Sequence, residues 1–240
     1  MIVTTSWDDG HPADVRLGEL LNKHGVKGTF YVPCRNSEGR PVMGVAEIRE
    51  LAKAHEIGAH TLDHVDLTML PPDEANRQIV GGKNWLEDVI GSPVHGFCYV
   101  RGKYNRIIRS QTIATGFAYA RTVKSLCSGI GSDPFTMPTT LQFYPHGVVN
   151  NLKNLVKYGP DLGRIQLCLA AISTADLTEH TKALIDLCAA RGGCFHLWGH
   201  SWEIEERNLW AELDEILDFL SRQTSDNTFA TNYQVQSSLA

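Results

Sequence analysis

A parallel α/β fold, with one sheet and helices packed outside it, is predicted for this chain. Short β-rich runs alternate with amphipathic helical stretches from end to end. Their spacing is that of repeated β-then-α units, which favour a parallel sheet. A length of 240 residues suits one α/β barrel. The 42% hydrophobic and 20% charged content are those of a soluble globular chain with a sizeable core.

The elements follow in order. Residues 2–7 read as a strand, broken by Asp8-Asp9-Gly10-His11-Pro12. Leu17, Leu20, Leu21 and His24 recur at helical spacing, and Gly25 supplies the left-handed stop. Residues 28–32 form the second strand, closed by Pro33. Val45, Ile48, Leu51 and Ala52 mark another helix, and a brief strand at 57–59 delivers His60. A helix over 73–90 carries Ile79, Leu86, Val89 and Ile90 on one face, with Gly81 and Gly82 weakening its middle. Strands are expected at 96–100, 117–123 and 140–144, and the Gly/Pro/Ser-rich residues 125–138 as a long loop at the mouth of the site. A helix at 181–190, a strand at 194–198 and a helical stripe of Leu209, Leu213, Ile216, Leu217 and Leu220 follow. Residues 228–231 read as a last strand. No linker, repeat or low-complexity tract interrupts the pattern, so a single domain over 1–240 is expected.

A net charge of -5 without a dense Lys/Arg cluster argues against nucleic acid as the partner. No apolar run reaches the length of a membrane span. The six cysteines form no CxxC pair and most sit in apolar surroundings, the pattern of reduced thiols used as small hydrophobes. With the first strand starting at Ile2, no room is left for a secretory leader, so a cytoplasmic location is expected.

Two strings carry the chemistry, Ser6-Trp7-Asp8-Asp9-Gly10 and His60-Thr61-Leu62-Asp63-His64. A catalytic zinc-type site takes three protein ligands from imidazole and carboxylate and leaves positions open. Two histidines and one aspartate fill that quota, and the second aspartate is left over as a base. Adjacent carboxylates repel, so both ionise only beside a cation or an arginine. His60 and His64 lie one turn apart if residues 61–63 coil helically. Ligands of parallel α/β folds bind at the carboxyl ends of the strands, where Asp8, Asp9, Arg35, His60, Arg101, His146 and His200 all fall.

These strings, with Lys27-Gly28-Thr29-Phe30-Tyr31-Val32, Phe97-Cys98-Tyr99-Val100-Arg101-Gly102-Lys103-Tyr104-Asn105 and Phe195-His196-Leu197-Trp198-Gly199-His200, resemble the polysaccharide deacetylase family of carbohydrate esterases. The resemblance implies a distorted (β/α)7 barrel and metal-dependent amide hydrolysis. It implies that Asp9, His60 and His64 hold a divalent metal, zinc by default, with cobalt, nickel or manganese also suited. It makes Asp8 the general base that activates water, and a late histidine the acid that protonates the leaving amine. His200, past the strand end, is favoured for that acid over His196, within the strand. The family's arginine before a Pro-Tyr/Phe-Gly run is displaced here, and Arg101 or Arg121 stands in for it. Its Asp-Trp element, which tunes the acid, has no match. Arg101, Arg121, His146 and Trp202 are the candidates for touching substrate, and His11 is assigned to capping its loop. The expected substrate is a small or oligomeric N-acyl sugar, such as a nucleotide- or lipid-linked precursor. The alternatives are a small ureide or cyclic amide hydrolase on the same barrel and a non-catalytic carbohydrate-binding relative.

Overall fold

Strand β1 (Ile2–Asp8) is the centre of the sheet, because its β-branched run buries every residue from Val3 to Asp8 on both faces. The computed structural model describes residues 1–222 and 228–238. Around β1 lie β2 (Gly28–Val32), β3 (Glu56–Ala59), β4 (Gly96–Cys98), β5 (Tyr119–Arg121), β6 (Leu141–Gln142) and β7 (Cys194–Gly199), in the order β5-β4-β3-β2-β1-β7-β6. Every pairing among them is parallel. A short β8 (Thr228–Phe229) pairs Ile2 and Val3 of β1, just before β2 takes over at Thr5.

One short segment ties the two edges of this sheet together. Met137 donates its N–H to Ala120 O of β5 and accepts from Thr122 N. Three residues later Thr140 donates to His196 O, and Leu141 and Gln142 pair Leu197 and Trp198 of β7. The sheet therefore curls into the distorted seven-stranded barrel expected from the resemblance. Strands β4, β5 and β6 are shorter than expected. After Cys98 the chain turns into a 3-10 turn at Val100–Gly102, where Arg101 takes a positive φ of 56°.

Ten helices are described: α1 (Asp14–Lys23), α2 (Val45–Leu51), α3 (Pro72–Ile90), α4 (Arg106–Ala114), α5 (Val148–Lys157), α6 (Leu162–Ile172), α7 (Leu177–Ala190), α8 (Ser201–Arg207), α9 (Trp210–Arg222) and α10 (Asn232–Ser237). Helices α4, α5, α6 and α10 lie where no helix was expected. In α5 the three asparagines Asn150, Asn151 and Asn154 have low helix propensity, and its valines do not mark a buried face. Helix α3 runs unbroken through Gly81 and Gly82. A Cβ at Gly82 would sit 2.8 Å from the backbone carbon of Thr61, so the glycine permits the helix to press against the His60 loop.

The amino ends of the strands are sealed by a polar network around α10. The Glu56 carboxylate accepts from Tyr119 Oη (2.7 Å), Thr29 Oγ1 (2.9 Å) and the Tyr233 N–H (2.9 Å). Asn232 donates through Nδ2 to Tyr31 Oη and accepts from Thr4 Oγ1. Replacing the acceptor in Glu56→Leu strands three donors at once. The expected cost is about 3 kcal/mol, read as a lower urea midpoint at unchanged slope. A cost under about 0.5 kcal/mol would show that this network does not hold the barrel shut.

Candidate active site

At the opposite end the strands open on a cleft of about 480 Å3 that Asp8, Asp9, His60, His64, His200 and Trp202 line. Asp9 and Gly10 both take positive φ (77° and 62°), so the chain turns sharply as it leaves β1. A Cβ at Gly10 would meet Val32 Cγ1 at 2.7 Å, which reserves that position for glycine. The turn sends the two carboxylates apart: Asp8 toward Arg121, Asp9 toward the imidazoles.

Asp9 Oδ1 lies 2.9 Å from His64 Nε2 and 3.6 Å from His60 Nε2. The three candidate ligand atoms all fall within 4.8 Å of one another, and all three residues are buried. The His60–His64 segment is not helical, so the condition for a one-turn spacing of the two rings is not met. Thr61 and His64 instead take left-handed conformations, with φ of 65° and 52°. The loop is held in that shape from outside. Leu62 N donates to Gln78 O and Asp63 N to Gln78 Oε1, each at 2.9 Å, and Arg35 Nε grips Asp63 Oδ1 at 2.6 Å. Arg35 therefore supports the loop and does not line the cleft.

His60 Nδ1 donates to the Cys98 carbonyl at 2.8 Å, which leaves the Nε2 lone pair facing Asp9. Burial pushes the His60 imidazole down to about 4, so it is neutral. Burial works the other way on Asp9, but the His64 hydrogen bond and the nearby His200 and His60 outweigh it and hold its carboxyl below the usual range. His64 Nδ1 has no hydrogen-bond partner among the described residues, and Glu38 Oε1 stands 3.6 Å from it. A carboxylate and two imidazoles in one pocket are the donor set of a borderline divalent cation, and these residues fit one.

Arg121 lies on β5 in register with Cys98 of β4. Its side chain has no exposed surface, donates through Nη2 to Asp8 Oδ1, and packs 5.2 Å from the Tyr31 ring and 4.8 Å from that of Trp198. Burial opposes its charge, but Asp8 more than offsets this and keeps it protonated. The expectation that Arg121 touches substrate is corrected: it lies beneath the cleft wall and steers Asp8. Arg101 reaches the cleft rim instead, where it pairs with Glu38 at 2.9 Å. Cys98 leaves its Sγ 3.7 Å from Asp8 Oδ2, and burial pushes that thiol well up.

The two late histidines separate clearly. His196 is buried within β7, bonded to Ser6 Oγ at 2.8 Å and to Pro138 O at 3.1 Å. Burial and the Arg121 charge push it down to about 3, and it does not line the cleft. His200 does, at the start of α8, with Nδ1 2.7 Å from Glu203 Oε2. Burial lowers its pKa, but the Glu203 bond and the Asp9 and Asp8 charges carry it to about 9. Glu203, three residues on, is the partner that the sequence did not reveal. It also accepts from Gln142 Nε2 (3.1 Å); His146 Nε2 donates to Gln142 Oε1 (2.8 Å), and Asn150 Nδ2 to His146 Nδ1 (2.8 Å). His146 thus lines the cleft as a link between α5 and the His200 support. Trp202 donates Nε1 to Asp9 Oδ2 at 2.9 Å, under the Arg40 guanidinium. His11 Nδ1 accepts from the Ala13 N–H and so caps its own turn. The α5 wall, with Asn150, Asn151, Lys153, Asn154 and Lys157, was not foreseen; its one signal was the run of asparagines after His146.

The sequence profile of the polysaccharide deacetylase family matches residues 1–120 of this chain. A peptidoglycan-N-acetylglucosamine deacetylase, PgdA, of Listeria monocytogenes is 33% identical over 91 residues, 37% of this chain and 19% of that protein. A polysaccharide deacetylase homologue of Bacillus subtilis, YxkH, is 22% identical over 124 residues, 51% of this chain and 44% of its own length. The chain thus spans less than half of either curated relative. Among solved structures, one from Mycobacterium smegmatis assigned to the polysaccharide deacetylases superposes with a TM-score of 0.71 at 19% identity, covering 99% of this chain and 89% of that one. A family 4 acetyl xylan esterase from Clostridium thermocellum, solved with a cobalt ion, gives 0.57 at 15% identity over 99% and 91%. Both likenesses bear on the fold.

Calorimetric titration of metal-stripped protein with zinc is expected to show one tight site per chain. Asp9→Ala or His60→Ala should weaken it by more than the roughly 10- to 100-fold that loss of an outer partner costs. Unchanged affinity in either variant would remove these residues from the site.

Proposed function

Because the chain belongs to the polysaccharide deacetylase family, we propose that it is a metal-dependent hydrolase that removes an N-acetyl or similar N-acyl group from a sugar or sugar-bearing precursor. The observation that carries this reading is the convergence of Asp9, His60 and His64 in one cleft with Asp8, held by its arginine, and His200, held by its glutamate. A divalent cation held by Asp9, His60 and His64, zinc by default, would polarise the acyl carbonyl and acidify the attacking water.

The chain's own residues do the rest. Arg121 fixes Asp8 Oδ1 and balances its charge, leaving Oδ2 to take the proton from water as it attacks the acyl carbon. His200 is protonated at neutral pH, and with Nδ1 held by Glu203 its Nε2–H gives the proton to the amine nitrogen as the C–N bond breaks. Trp202 orients Asp9 and, with Arg101 and His146, lines the cleft where the sugar would lie. The proposed compartment is the cytoplasm, a reading supported by six free thiols; recovery of the protein from the culture medium would overturn it.

Acetate release from N-acetylated sugars is expected to vanish with chelator and return on adding metal. Asp8→Asn should lower kcat about 10^2- to 10^4-fold with metal content unchanged. Tight metal binding without turnover across a broad N-acyl sugar panel would favour a non-catalytic relative and sink the proposal. The acid must be protonated, so activity falls as pH rises through the His200 pKa. Glu203→Gln removes the largest upward influence on that group and should move the alkaline limb to lower pH. An unmoved limb would exclude His200 as the acid.

A further inference from the structure

We propose that the outward sides of α5 and α6 form a docking surface for an anionic lipid bilayer. The inference goes beyond the hydrolase reading and does not need it. Two independent distributions point there.

The first is exposure. Helix α5 leaves Val148, Val149, Leu152 and Val156 open to solvent, a stripe at helical spacing. Helix α6 packs against α5 and leaves Leu162, Ile165 and Leu169 open in the same way. Its opposite stripe, with Leu167, Cys168 and Ala171, is the one buried against the body. Seven of the twelve large apolar side chains exposed among the described residues lie on α5 and α6. Exposed apolar side chains gathered on two neighbouring helices mark a contact surface, whereas single scattered ones need no explanation.

The second is charge. Residues 101–172 carry nine Lys and Arg against two Asp and no Glu, whereas the rest of the chain carries thirteen against twenty-five. Of these nine, Arg101, Lys103, Arg109 and Arg121 are paired with carboxylates and Arg164 is buried, which leaves Arg106, Lys124, Lys153 and Lys157. Lys153 and Lys157, which also border the cleft, stand on α5 beside the valine stripe and have no ion-pair partner among the described residues. Apolar side chains flanked by cations are what an interfacial helix presents to an anionic headgroup layer. A second acidic copy of this chain would satisfy the apolar stripes, but the unpaired lysines of α5 select a negatively charged surface. A soluble polyanion would use the lysines and leave the leucines idle. No helix among the described residues is long and apolar enough to cross a membrane. At about 15 Å each, α5 and α6 reach half of a hydrocarbon core and would lie along its boundary.

The test uses the full chain with phosphatidylcholine vesicles, with and without about a third phosphatidylglycerol. Co-sedimentation is expected with the anionic vesicles alone, and raised salt should release the protein. Leu152→Ser combined with Leu162→Ser and Leu169→Ser should abolish binding while the thermal melt stays unchanged, since all three side chains are exposed. Lys157→Gln should weaken partitioning about five-fold. Three results would overturn the proposal. One is failure to bind anionic vesicles at low salt, and another is binding that survives the triple serine variant. The third is a dimer, seen by sedimentation equilibrium, that the same variant turns into a monomer.

Discussion

A guanidinium with no exposed surface lies under the floor of this cleft, and Asp8 is what makes that tolerable. Burying an arginine costs several kcal/mol unless a counter-charge and ring faces replace its water. Here Asp8, Tyr31 and Trp198 supply them, while Arg121 Nε and Nη1 keep no hydrogen-bond partner among the described residues. The proposed base and its arginine are therefore one unit, and neither can be judged alone. Arg121 stands on an edge strand, and the Met137 segment ties that edge across to β7. Closing the barrel and aiming the base are thus consequences of the same six residues of chain.

This arrangement explains what the sequence could show and what it could not. The Asp8-Asp9-Gly10 and His60-to-His64 strings were legible because each spacing is local and each follows a buried strand. The helical coil considered for residues 61–63 does not form because tertiary bonds from Gln78 and Arg35 override local preference and stabilise left-handed positions at Thr61 and His64. The arginine could not be assigned because register, invisible in one dimension, pairs Arg121 with Cys98 across two strands. Where an arginine might have risen from β4, a small thiol leaves room for one arriving from β5.

The partner of His200 was missed for the opposite reason. Glu203 is only three residues away, but it counts as a partner only once α8 is known to start at Ser201 and turn that side chain back. Helix α5 escaped because its apolar stripe faces outward, and α6 because apolar residues fall on both its faces, so periodicity there marked no single core side. A stripe of that kind reads as noise until the rest of the molecule shows that nothing covers it.

Strain gathers at the site. Asp9, Thr61, His64 and Arg101 hold positive φ around the cleft, each worth about 1–3 kcal/mol if unsupported. The sealed opposite end, with Glu56 and Asn232 satisfying one another's neighbours, is the stable platform against which these turns are set. Helix α5 is different: it packs against α6, which packs against α7, and it reaches the acid through Asn150, His146, Gln142 and Glu203. Each bond in that series has a single consistent direction of donation, ending on the carboxylate that holds His200. A shift of α5 along its axis would break the series at Asn150 first, since that is where the helix enters it. The wall of the cleft and the orientation of its acid are therefore coupled by geometry, through this series of hydrogen bonds.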